Sequence, residues 1–191
     1  LPPFADEKKP PENGWTVGYI GRVRDIRSFE LLVEAVKTIP AFERPKLRVA
    51  GDGTAASKVR TLLMSEVEAG TIEAEVSGAF SQSELPELLQ SVDVMYAMYS
   101  PQRGNVLQGA LPVKVFDAAS GGVPSVVNAG CLMADVVVSE NIGAHAPWGD
   151  AESVGQALRS LRDTVAELAA TGEREHQRWL SAMNPVLEIL Q

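Results

Sequence analysis

The sequence predicts a doubly wound α/β domain, a parallel sheet of about six strands with helices on both faces. From Trp15 onward short apolar runs alternate with amphipathic stretches, the pattern of βαβ units. Several of those runs end at glycine, at Gly21, Gly51 and Gly78, as expected where a strand gives way to a turn. With 191 residues, of which 45% are hydrophobic, the chain is long enough to bury a substantial core.

Trp15 to Ile20 reads as the first strand, and Phe29, Leu32, Val33 and Val36 then recur at helical spacing. Leu47 to Ala50 is the second strand; it runs into Gly51-Asp52-Gly53, and the helix beyond buries Val59, Leu62 and Leu63. Ile72 to Val76 is a third, weaker strand, because Glu73 and Glu75 alternate out of it. Ser83, with Glu84 and Glu87 nearby, is expected to cap the next helix. Asp93 to Met98 is the fourth strand, and a polar loop from Ser100 to Leu111 precedes a helix opened by Pro112 and stopped by Gly121-Gly122. Pro124 to Asn128 and Gly143 to Ala146 complete the strands. From Ala151 to Ala170 one apolar stripe, including Val154, Leu158 and Leu161, predicts a surface helix. Residues 1–14, with four prolines among charged residues, read as the remnant of an interdomain linker. Residues 15–172 form the predicted domain and residues 173–191 a C-terminal helix.

The formal charge of −8 argues against a general nucleic-acid surface, since sequence-independent binding needs basic groups to displace counterions. It leaves room for a local basic pocket. Cys131 is the only cysteine, so no intrachain disulfide can form, which fits a reducing compartment. No apolar run approaches the roughly 20 residues of a spanning helix, and the start lacks the order of a signal peptide. A cytoplasmic protein is expected, with any peripheral membrane contact made through a missing part. His145 and His176 have no ligand partners at metal spacing, so no metal site is expected. Ser120, Ser125 and Cys131 lack a base partner for a hydrolytic triad. Met95, Tyr96, Met98 and Tyr99 read as core and strand-end packing.

In an open parallel sheet ligands bind beyond the carboxyl ends of the strands, so the glycine-marked ends are where chemistry is sought. The segment Leu111 to Pro124 is the most informative. Pro112 suits a first helical turn, the amides of Val113 and Lys114 would face an anion, and Lys114 adds a full charge. Asp117, one turn deeper, can accept hydrogen bonds from a diol. The same residues also describe an ordinary helix with a start proline and dipole-matched charges, and the pattern alone weighs the two evenly. After the first strand come Gly21, Arg22, Arg24, Asp25 and Arg27, whose guanidinium forks suit phosphate oxygens. One close pair of unit charges is worth about 4 kcal/mol at about 4 Å and an effective dielectric near 20, before desolvation. Arg22 is the stronger candidate because it follows the strand-end glycine, whereas Arg24 and Asp25 also fit a solvated turn.

Taken in order, Gly21-Arg22…Arg27, Val49-Ala50-Gly51-Asp52-Gly53, Gly78…Leu85-Pro86-Glu87-Leu88-Leu89…Asp93-Val94 and Pro112-Val113-Lys114-Val115-Phe116-Asp117…Gly122-Val123-Pro124 resemble the motif series of the donor domain of group 1 (family 4) retaining glycosyltransferases. The resemblance covers about residues 15 to 170. It implies one Rossmann-like half of a GT-B fold, in which a second, N-terminal domain, missing here, binds the acceptor. By position Arg22 and Arg27 match the arginine and lysine that hold the donor diphosphate, and Lys114 joins them as catalytic electrostatics. Gly21, Gly51, Gly53, Pro112 and Val113 would line the nucleotide, with base contacts from the backbone at Ala79 and Phe80. Asp117 matches the second glutamate of a Glu-x7-Glu pattern, the one that holds ribose hydroxyls; Gly109 stands where the first would be. The stretch Arg174 to Leu190 resembles the last helix, which crosses onto the other domain, although it could equally pack on its own.

The implied reaction transfers a sugar from a nucleoside diphosphate, of uridine or guanosine, to a glycan, lipid or small-molecule acceptor with retention, without a cofactor or a divalent metal. The chain alone is expected to bind nucleotide weakly and to transfer nothing. Two other readings share the pocket: a nucleotide-sugar epimerase, and a non-catalytic scaffold that keeps the fold.

Overall fold

Six parallel strands make one sheet in the order β3-β2-β1-β4-β5-β6 in a computed structural model that describes residues 11, 14–103, 109 and 111–163. The strands are β1 (Thr16–Ile20), β2 (Lys46–Ala50), β3 (Glu73–Ser77), β4 (Val94–Ala97), β5 (Ser125–Asn128) and β6 (Gly143–Ala146). The helices are α1 (Ile26–Thr38), α2 (Ala56–Glu68), α3 (Leu85–Gln90), α4 (Val113–Ser120), α5 (Leu132–Ser139) and α6 (Ala151–Asp163). The doubly wound parallel sheet expected from the sequence is therefore present. Most of the linker, the helix beyond Asp163, His176 and the C-terminal stretch lie outside the described residues.

Period-two alternation sorts the strand side chains onto two faces. Val17, Tyr19, Leu47, Val49, Val94 and Tyr96 face one side, where α1, α2 and α6 cover them with Phe29, Leu32, Leu63 and Leu158. On the other side Ile20 and Met95 meet Leu85, Leu88 and Leu89 of α3, while Ala97 and Val127 meet Val115 of α4 and Met133 and Val137 of α5. Each such fully buried large side chain contributes about 1.5–3 kcal/mol. β3 is weaker for a visible reason: it is an edge strand whose Glu75 points outward and takes ion pairs from Lys46 at 3.1 Å and Arg48 at 2.7 Å.

Three local features differ from the sequence-based expectations. The turn before α3 is closed by Ser81, not Ser83: the Glu84 carboxylate accepts the Ser81 backbone N–H at 2.7 Å and its hydroxyl at 2.6 Å. A Ser-x-x-Glu spacing makes that reciprocal closure possible, and Ser83 has no acid three residues on. Pro112 is not inside the first turn of α4 but is its extended N-cap, with φ −64° and ψ 122°. Finally, α5 fills a segment to which the sequence assigns no element. Parallel β5 and β6 require a crossover between them, and Met133, Ala134 and Val137 are its buried face.

The loops after β1 and β2 are packed backbone against backbone. Gly21 N–H donates to Ala50 O at 2.9 Å, Val23 N–H to Asp52 O at 3.0 Å, and Ala55 N–H to Val23 O at 3.1 Å. At Gly51, φ is +148° and a Cβ would stand 1.9 Å from Gly21 O; at Gly53, φ is +156° and a Cβ would stand 2.2 Å from Val23 O. Only glycine permits either approach. Helix α6 also comes close to α1, because a Cβ on Gly155 would lie 2.3 Å from Thr38 Oγ1 and 2.8 Å from Ala35 O.

Two substitutions test this packing by urea unfolding. Gly155→Ala should destabilise the chain by about 1–3 kcal/mol of overpacking, reduced by up to about 1 kcal/mol of gained helix propensity. Gly51→Ala combines a disfavoured backbone with a clash on a carbonyl that cannot retreat, so it should cost more than Gly155→Ala.

Candidate functional site

β1 and β4 are neighbours in the sheet, yet the chain leaves them in opposite directions, toward β2 and toward β5. Their loops diverge above the carboxyl ends, and a crevice opens between them. Gly21 ends β1 on one wall. The start of α4 forms the other, close enough that a Cβ on Gly21 would lie 3.5 Å from Lys114 Cε and 3.6 Å from its Nζ.

The two helix starts at this crevice are finished differently. In α1 the Asp25 side chain accepts the Arg27 backbone N–H at 3.1 Å, so the positive end of the helix carries its own carboxylate. In α4 no side chain of the described residues caps the start. Val115 N–H donates to Pro112 O at 3.1 Å, and the amides of Val113 and Lys114 precede it. Such a terminus, left without an acidic cap, suits an external anion.

The three predicted cations occupy unequal positions. Lys114 extends into the crevice with its Nζ shielded from solvent and 3.5 Å from the ring centroid of Tyr19. Arg22 is exposed on the β1 loop, where its carbonyl accepts the Tyr19 hydroxyl at 2.7 Å. Arg27 is already engaged: its Nε and NH2 groups donate to Asp25 at 3.2 Å each, and NH1 donates to Gln102 Oε1 at 2.7 Å. Lys114 and Arg22 thus flank Gly21, whereas Arg27 spends much of its fork on neighbours.

Asp117 lies one turn into α4, half-buried, and burial raises its carboxyl above the ordinary value of 3.8. Ala79 is exposed on the loop after β3, and Phe80 packs on the Ile20 and Ala50 cluster beneath it. Gly51 and Gly53 sit at the same end of the sheet, where their lack of a side chain serves the loop packing described above. Val113 is 71% exposed. Gly109, with φ +88°, has a backbone in which a glutamate would be strained.

Several residues that build the site have no signature in the sequence. Asn128 clamps the chain after β4, accepting Tyr99 N–H and donating to Tyr99 O, both at 2.8 Å. Ser28 donates to Met98 O at 2.8 Å and accepts the Tyr96 hydroxyl at 2.9 Å, tying α1 to the same strand end. Tyr19 and Tyr99 lie beneath Lys114, at 3.5 and 5.5 Å from ring centroid to Nζ. Met95, Tyr96 and Met98 are buried, as the alternation predicts. His145 is exposed. Among the described residues no group of three or more His, Cys, Asp or Glu could hold a metal ion, and no helix is long and apolar enough to cross a membrane.

Known proteins share this fold. The chain has a TM-score of 0.68 with sucrose-phosphate synthase from Thermosynechococcus elongatus, at 19% identity over 94% of this chain and 46% of that one. It has a TM-score of 0.66 with the Anabaena protein HepE in complex with UDP and glucose, at 15% identity over 93% and 48%. With the C-terminal domain of a group 1 family glycosyl transferase from Francisella tularensis, LpcC, the TM-score is 0.61 at 14% identity, over 87% and 92%. The chain therefore spans about half the length of the first two. No curated protein matches it in sequence. The profile of the family described as "Glycosyl transferases group 1" matches residues 14–164, the whole of the described sheet and its helices. With that match over most of its length, and with a parallel sheet that opens at the β1/β4 switch, this chain belongs to the group 1 glycosyl transferases.

Proposed function

We propose that this chain is the donor-binding half of a retaining glycosyltransferase that takes a sugar from a nucleoside diphosphate. The observation that carries the reading is the Lys114 ammonium, set beside Gly21 at a helix start that no side chain of the described residues caps. A diphosphate lying there would meet Lys114, the first amides of α4 and the exposed Arg22. As the bond to the sugar breaks, negative charge accumulates on the departing phosphate. Cations and dipoles held in place beforehand stabilise that charge without reorganising. These groups take the part that a divalent metal plays elsewhere, so the proposal includes no metal.

Asp117 fits the ribose. Its carboxylate is partly desolvated, and two hydroxyls donating to it would supply the hydrogen bonds that water no longer provides. The acceptor is assigned to a second domain, in keeping with solved relatives about twice the length of this chain. Accordingly, the chain by itself is proposed to bind nucleotide without transferring sugar.

Calorimetry with UDP and GDP tests the assignment. Lys114→Ala should lose about 2 kcal/mol of binding, about 30-fold, as for a charge-assisted hydrogen bond. Arg27→Ala should lose less, because Asp25 and Gln102 already hold that guanidinium. Unchanged affinity in the Arg22→Ala plus Lys114→Ala protein would remove the phosphate site.

Asp117 also predicts a pH dependence. Its carboxyl titrates higher folded than unfolded, so the native state binds the proton more tightly. Its contribution is complete below the ordinary value of 3.8 and is lost as pH rises through the elevated folded value. Asp117→Asn should flatten that part of the stability profile and weaken nucleotide binding. If urea midpoints measured across the pH range are the same for the two proteins, the desolvated carboxylate is not a cost to the fold.

A further inference from the structure

We propose that Tyr19 is a positioning residue for both cations of the diphosphate site, its ring seating Lys114 and its hydroxyl holding the Arg22 turn; the inference rests on the donor-site reading above. Lys114 Nζ stands 3.5 Å from the Tyr19 ring centroid, within the range where the negative face of the ring attracts an ammonium. That Nζ is shielded from solvent, the condition in which the attraction is strongest.

The ring is itself immobilised. Tyr19 is 3% exposed, its ring meets Phe29 at 4.6 Å between centroids and 56° between planes, and its hydroxyl donates to Arg22 O at 2.7 Å. One side chain therefore touches the lysine through its face and the arginine loop through its edge. Gly21 lies beside both, and a Cβ there would be in ordinary contact with the lysine stem, 3.5 Å from Cε.

The choice of an aromatic seat has a chemical consequence. A carboxylate would hold the ammonium too, but it would cancel the charge and repel an incoming diphosphate. Asp25 does this to Arg27, at 3.2 Å. A phenol ring carries no formal charge, so it seats the ammonium without adding a negative charge that would repel the diphosphate.

The test uses the whole chain with inorganic pyrophosphate as a probe independent of the nucleobase. The ε-methylene protons of Lys114 should resonate upfield, shielded by the ring, in the wild type and in Tyr19→Phe, and return to their ordinary position in Tyr19→Leu. Tyr19→Leu should weaken pyrophosphate binding about tenfold, the loss expected of a desolvated cation–π contact, and Tyr19→Phe only about threefold. In a Lys114→Ala background the leucine substitution should cost less than about twofold, since its partner is gone. An equal loss with and without Lys114, or no upfield shift in the wild type, overturns the proposal. Should Tyr19→Leu not fold, the persistence of the shift in Tyr19→Phe supports the seat and its disappearance refutes it. Indifference of pyrophosphate binding to Lys114→Ala would instead strike the donor-site reading, and the proton shifts would still decide the seat.

Discussion

β1 pairs with β4 through Val17 with Val94 and Gly18 with Met95, and the approach is so close that a Cβ on Gly18 would lie 2.6 Å from Val92 Cγ1. This junction joins two halves of a sheet that are built outward in opposite directions, β2 and β3 on one side and β5 and β6 on the other. Because the chain leaves these neighbouring strands in opposite directions, toward β2 and toward β5, the carboxyl end of the junction is where a crevice opens. The crevice is a by-product of strand order, and what chemistry enters it depends on which residues end β1 and begin α4. The glycine contacts at Gly51 and Gly53 serve the same end, by locking the β1 loop onto the β2 loop so that Gly21 and Arg22 start from a rigid base.

Electrostatics in the crevice is a matter of which positive groups keep their charge available. The chain is acidic as a whole, with a formal charge of −8, so a distant diphosphate is not drawn to it by the overall charge. Attraction must be local. Helix α1 ends its dipole on Asp25, and the same carboxylate takes the fork of Arg27. Helix α4 has no side-chain cap among the described residues, and its lysine rests against the face of Tyr19. The two helices start at the same end of the sheet, yet one start carries its own carboxylate and, among the described residues, the other does not.

Much of this was legible from residue order. Residue order places all six strands to within about two residues, and for β1, β2, β4 and β5 the reason is that strands buried between helices need apolar runs whatever their neighbours. The weakness of β3 could be read from Glu73 and Glu75. Lys114 and Arg22 could be chosen as site candidates because each lies within two residues of a signal with a local mechanism, a start proline and a strand-end glycine. Helix α5 could not be read this way, since Val136, Val137 and Val138 favour strand by propensity and only the required crossover from β5 to β6 makes them helical.

The sequence by itself determined the layered α/β class, the family motifs and the chemical types at the crevice, because these depend on local periodicity and on short-range turn chemistry. Tertiary structure alone decided what each charge meets. Tyr19 reads as one more apolar residue of a strand until folding brings Lys114 over its ring, and Asn128 as an ordinary strand end until its amide closes on Tyr99. Arg22 and Arg27 look equivalent in the motif, but only one has its guanidinium tied to an acid and an amide. Contacts between residues so far apart in the chain follow from strand order and side-chain direction, and no local pattern encodes them.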